Sequence, residues 1–203
     1  MCSSSNSEAL LTETHKTEQL VLSFVEFLNT RSFEPKPPHE ISVELRGPAF
    51  ESVPDWFTWK IQSDVSNPWV EQLEARLPRR YPAAFHFLIA NYRFCAFEVG
   101  SIMFFANTGK SVFHELSTRV FADKSMSPFL LQKGYLQFGQ AAGGHYDPIC
   151  FAPRGLMEKQ ESRIVQLDHE EILIRDRIKV VAEIAPSFED FIERTISGEF
   201  EVS

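Results

Sequence analysis

The stretch from Gly134 to Gly198 constrains the fold of this chain more than any other. It opens on GYLQFGQAAGGHYDPICF, passes through IVQLDHEEIL and closes on IAPSFEDFIERTISG. Tyr135, Leu136 and Phe138 have the composition and spacing of a strand, and AAGG is a flexible connection. Tyr146 to Phe151 reads as the partner strand, with Pro148 near an edge or a bulge because proline donates nothing to a ladder. PRGLMEKQES reads as an exposed turn, IVQL as a strand, DHEE as a polar turn and RIKVVAEI as a further strand. Ser187 with Asp190 fits the [ST]-x-x-[DE] capping box, so the last helix starts there. Phe188, Phe191, Ile192 and Ile196 form its apolar stripe, and Gly198 ends it.

The segments before Gly134 add helices and short strands in irregular alternation. Residues 1–16 are polar and read as a mobile tail. Leu20, Val21, Phe24, Phe27 and Leu28 predict an amphipathic helix over 17–31, whose apolar face must be covered either by the core or by a partner. Three prolines among residues 35–38 make a linker. ISVEL alternates like a strand, GPAFESVPD is turn-rich, and in WFTWKIQ the residues Phe57, Trp59 and Ile61 share one face, with the Trp pair, Trp56 and Trp59, expected in the core.

Asn67-Pro68 starts a helix that stops before Pro78, and Pro82 opens another whose stripe is Tyr81, Phe85, Leu88, Ile89 and Tyr92. RFCAFEV and SIMFFAN read as two interior strands around a Gly100-Ser101 turn. SVFHELSTRVF satisfies both helix and strand templates, and Ser127-Pro128 caps a short FLLQK turn. These elements predict an α+β fold: a mostly antiparallel, twisted sheet flanked by helices. Residues 17–66 form an N-terminal extension and residues 67–203 the main domain.

Composition narrows the function classes. The 203 residues carry 28 acidic and 20 basic side chains, a net charge of −8, with no basic run to neutralise a phosphate backbone. Direct binding of nucleic acid is therefore not expected. Cys2, Cys95 and Cys150 are too few and too widely spaced for a disulfide framework or a zinc motif, which fits a reducing compartment. Residues 1–16 lack the basic n-region and apolar core of a signal sequence, and no apolar run is long enough for a membrane span, so a cytoplasmic protein is expected. Nineteen Phe supply ample area for one core.

No catalytic or cofactor fingerprint is present, and no cofactor or metal is expected. Asp168, His169, Glu170 and Glu171 are the densest polar cluster; adjacent positions diverge, so a solvated, acidic protein-binding loop is expected rather than a ligand set. His145 and Asp147 fall on one side of the Tyr146–Phe151 strand and Cys150 on the other, which argues against a local Cys-His pair, although Cys95 or His86 could approach. Cys150 is expected to be buried as a small hydrophobe. Gly143-Gly144 reads as a turn, and Lys110 and His114 have no informative context. The competing reading is a hydrolase or metal-binding enzyme built from His145, Asp147, Asp168 and His169.

In order, four pieces resemble the SUKH superfamily, which includes fungal cell-wall-assembly regulators and bacterial toxin-immunity proteins. They are a short helix followed by LPRRYPAAFHFL, then GYLQFGQAAGGHYDPICF, IVQLDHEEIL and IAPSFEDFIERTISG, and together they span about two thirds of the chain. The resemblance implies one α+β domain that acts by binding another protein, for example by masking the surface of a basic toxin. Asp147, Asp168, His169, Glu170 and Glu171 are the expected partner-binding residues.

Overall fold

The computed structural model describes residues 4–64, 68–109, 115–153 and 162–202. Asn67, Cys2, Lys110, His114 and all of the expected PRGLMEKQES turn but its end residues Pro153 and Ser162 lie outside them, and Ser162 is buried. The architecture is α+β, built on a six-stranded antiparallel sheet. Its strands are β5 (Phe97–Val99), β6 (Ile102–Phe104), β7 (Leu136–Ala141), β8 (Pro148–Phe151), β9 (Ile164–Leu167) and β10 (Val180–Ala185). Each pairs with the next in chain order, so the sheet is a meander with helices inserted between strands.

Before the sheet, the chain forms α1 (Ser4–Asn29), the hairpin of β1 (Arg46–Phe50) and β2 (Val53–Trp59), a short ladder of β3 (Gln62–Ser63) with β4 (Tyr92–Arg93), and the helices α2 (Pro68–Glu74) and α3 (Ala83–Asn91). The remaining helices are α4 (Leu116–Ala122), α5 (Met126–Gln132), α6 (His169–Arg175) and α7 (Phe188–Ile196).

Helices cover both faces of the sheet. On one face α1, α3 and α7 pack on each other, and Phe24, Phe85, Phe188 and Phe191 join Phe104, Phe138 and Phe151 in the main core. On the other face α4 and α5 pack on β7 and α5 packs on α6, closing a smaller core of Leu130, Cys150, Val165, Leu167 and Ile172. This explains why all six residues of β7 are buried. Gly139 permits the close approach within that sheet, since a Cβ there would lie 2.6 Å from the Met103 carbonyl oxygen.

Several expectations hold. Gly100 and Ser101 form the two-residue turn of the β5–β6 hairpin, with Gly100 at φ +56°. The α3 stripe is buried, and Ser187 Oγ accepts the Asp190 N–H at 3.0 Å to cap α7. Trp59 is buried and stacks on Phe33 with ring centroids 4.3 Å apart, whereas Trp56 is half-buried.

Others are corrected. α1 begins at Ser4, not Thr17, and its second half is no docking arm: Val21, Phe24, Val25 and Leu28 are buried in the main core. ISVEL is not a strand, because Val43–Leu45 is a single 3-10 turn; the strand β1 instead occupies the segment expected to be turn. The ambiguous SVFHELSTRVF is a helix from Leu116. DHEE is not a turn. Asp168 Oδ1 accepts the Glu171 N–H at 3.1 Å and caps α6, with Ile172 as its buried anchor.

Candidate functional site

The site lies on the smaller-core face, where α4, the start of α5, α6 and the β7–β8 connection surround a cleft of about 330 Å3. Arg119, Ala122, Asp123, Met126, Gln137, Tyr146, His169 and Leu173 line it. His169 and Leu173 stand one helical turn apart on α6, so both reach the same side. Tyr146 comes from the AAGGHY connection, where Gly143 and Gly144 hold φ of +74° and +82°.

One pair of titratable groups is organised at this cleft. Asp147 Oδ1 accepts from His169 Nδ1 at 2.7 Å and from the His169 backbone N–H at 3.1 Å, while Asp147 Oδ2 accepts from Gln166 Nε2 at 2.8 Å. Burial alone would push the Asp147 carboxyl up, but the bonds from His169 and Gln166 outweigh it and hold the pKa below the usual value. In the neutral form of the ring, the ionised carboxylate places the proton on Nδ1 and leaves Nε2 as an acceptor. Such a group can accept a hydrogen bond from a ligand or act as a general base on water.

The clamp also joins the β7–β8 connection to the start of α6, across 22 positions of sequence. Because the folded pKa of Asp147 is depressed, the stability it contributes is complete above the ordinary Asp range and is lost as pH falls through the folded value. Asp147→Asn is expected to cost about 1 kcal/mol near neutral pH and to shrink the acid-induced loss of stability, as read by thermal melts across a pH series. An unchanged acid limb would refute that assignment.

The other expected site residues are arranged differently. Asp168 is turned to its capping role and to Lys179, whose Nζ is 2.8 Å from Oδ2. Glu171 binds Arg175 at 2.7 Å and Arg177 at 2.6 Å. The acidic cluster is thus largely neutralised within the protein, and Glu170 is its exposed member. His145 is exposed in the connection, and neither it nor Asp147 lies on β8, which starts at Pro148.

Among the described residues no three His, Cys, Asp or Glu side chains gather to hold a metal; of His145, Asp147, Asp168 and His169, the structure pairs Asp147 with His169. Cys150 is buried in the smaller core and Cys95 in the main core; burial pushes the Cys95 thiol up to about 12 and the Cys150 thiol higher still, so both are poor nucleophiles. His86 bonds Glu74 Oε1 at 3.0 Å.

Sequence reasoning missed the remaining cleft residues. Arg119 donates to Gln140 Oε1 at 2.6 Å and lies 5.1 Å from the Phe105 ring centroid. Asp123 Oδ1 accepts from the N–H groups of Ser125 and Met126, at 2.8 and 2.7 Å, and so organises the α4–α5 turn. Tyr146 is 70% exposed with its ring 6.1 Å from His169, and Leu173, which lines the same cleft, is 48% exposed. The signal for α6 was present: Asp168-x-x-Glu171 repeats the cap-to-N3 spacing of Ser187-x-x-Asp190.

Compared with known proteins, the chain matches no family model, and no curated protein matches it significantly. Among the described residues no helix is long and apolar enough to cross a membrane.

Proposed function

We propose that the protein is a non-enzymatic protein-binding module of the SUKH type, which docks a basic partner, such as a nucleic-acid-degrading toxin, on the cleft face. The observation that carries this reading is the rim of the cleft. Tyr146 and Leu173 leave large apolar surface in water on a concave site, which is the arrangement of aromatic and aliphatic anchors that dominate interfaces. Glu170 stands on the same helix, and the net charge of −8 favours encounter with a positively charged surface.

The Asp147–His169 pair supports a second reading, a hydrolase in which His169 acts as general base on a water molecule. Tyr146 supplies the one hydroxyl among the cleft-lining residues. The binding reading is favoured because Leu173, exposed on the cleft, serves an interface and serves no step of such a reaction.

Affinity capture from the native cell extract at low and high salt, with wild type and Tyr146→Ala in parallel, tests the proposal. One basic partner, retained at low salt and bound at least about tenfold more weakly by the variant, is the expected result. Capture unaffected by the variant places the interface elsewhere. No partner for the wild type, together with hydrolytic activity abolished in His169→Ala, would favour the enzyme.

A further inference from the structure

We infer that β10 pairs with β10 of a second copy of this chain, in an antiparallel two-fold junction centred on Val181. The two edges of the six-stranded sheet are treated differently. At β5 the chain covers its own edge: Val99 bridges Val202, and the Gly100 N–H donates to the Glu201 carbonyl at 2.7 Å. At β10, the other end of the strand order, Val180 and Val181 are 46% and 51% exposed, and Ala182 and Glu183 are exposed as well. Successive residues of a strand point to opposite faces, so the sheet here leaves both faces and the edge open. A β-branched edge of this kind is a template for a further strand.

Its charges identify that strand. Two-fold antiparallel pairing sets one residue opposite its own copy, because hydrogen-bonded and non-bonded pairs alternate along the ladder. With Val181 on the axis, Lys179 stands opposite Glu183 of the partner subunit, and the symmetry makes this contact twice. Val180 then faces Ala182 of the partner subunit, and Val181 faces the partner's Val181. Opposite charges directly across a ladder stabilise it, and β-branched pairs do the same. Lys179 and Glu183 are both exposed, and their present partners, Asp168 and Arg163, are held at 2.8 Å in surface ion pairs that can be shared or exchanged at small cost. The register of β10 against β9 shifts between Val180 and Ala182, and the junction would join two six-stranded sheets edge to edge.

Light scattering and sedimentation of the full chain over a concentration series measure whether the 23.3 kDa chain doubles in mass. A dimer that dissociates on dilution is expected. Lys179→Glu and Glu183→Lys, made singly, each set like charges across the junction and should weaken it about tenfold. The double reversal restores opposite charges between subunits but leaves each residue facing its like-charged neighbour within the chain. Recovery of the dimer in the double variant therefore reports the contact between subunits and not a local repair. A wild type that stays monomeric throughout overturns the inference, as does a dimer that ignores the single reversals or is not rescued by the double. Melting curves near wild type in all three variants exclude misfolding as the cause.

Discussion

Phe188→Ala is expected to lower the free energy of unfolding by about 3–5 kcal/mol, the largest effect of any single substitution considered for this chain. Phe188 is fully buried and opens α7 at the point where the main-core elements meet. Its ring lies 5.3 Å from Phe85 at 88° and 5.9 Å from Phe151 at 84°, both edge-to-face. Phe24, Phe104 and Phe138 each lie 6.4 Å away, so α1, α3 and strands β6, β7 and β8 all touch one side chain. Truncation removes the burial of the ring and these quadrupole contacts, and five elements cannot all close the void at once. Urea unfolding monitored by far-UV circular dichroism would measure it. Phe191, equally buried, belongs to the same class, and a cost below about 1 kcal/mol at either position would mean that α7 is peripheral to the core.

The second large effect is expected at Arg79. Its Nε donates to the Gly134 carbonyl at 3.3 Å, Nη1 to Ser162 Oγ at 3.0 Å, and Nη2 to the Phe151 and Ala152 carbonyls at 3.1 and 2.9 Å. One guanidinium therefore ties the α2–α3 connection to the start of β7 and the end of β8. Arg79→Ala strands main-chain oxygens that have been withdrawn from water, and should cost roughly 2–4 kcal/mol. Arg79→Lys should recover little of it, because an ammonium group cannot reproduce a planar fork that reaches four acceptors. If Arg79→Lys matched the wild type in chemical denaturation, the charge and not the fork geometry would be what holds these ends together.

Both residues sit in segments whose local character is evident from sequence. Phe188 belongs to a capped stripe at helical spacing, and Arg79 to the LPRRYP approach to α3. Neither role is evident there. The stripe says that Phe188 faces a core, but the five rings from other elements around it come from positions up to 164 residues away in sequence, as Phe24 does. Arg79 reads as one more surface charge until the end of β8 is folded against it.

The same boundary separates what was legible about the site. Asp147, Asp168, His169, Glu170 and Glu171 stand out as a polar group, but two of the carboxylates are engaged by Lys179, Arg175 and Arg177. Polar density in a sequence does not record which charges are already paired. Tyr146 looked like a strand residue and is instead exposed in the connection before β8, since the ladder with β7 begins at Pro148 opposite Gln140.

The amino-acid sequence by itself determined the elements whose signals are local. Hydrophobic period made α3 and α7, glycine at positive φ made the β5–β6 turn, and the side chains of Ser187 and Asp168 capped helices by reaching three residues ahead. Only the tertiary structure decided that α1 belongs to the core, that β10 is an open edge, and that Arg119, Tyr146 and the Asp147–His169 pair face one cleft. The reason is physical. Caps and turns are satisfied within a few residues, whereas a cleft and a sheet edge are defined by what other segments cover, and that depends on contacts between distant parts of the chain.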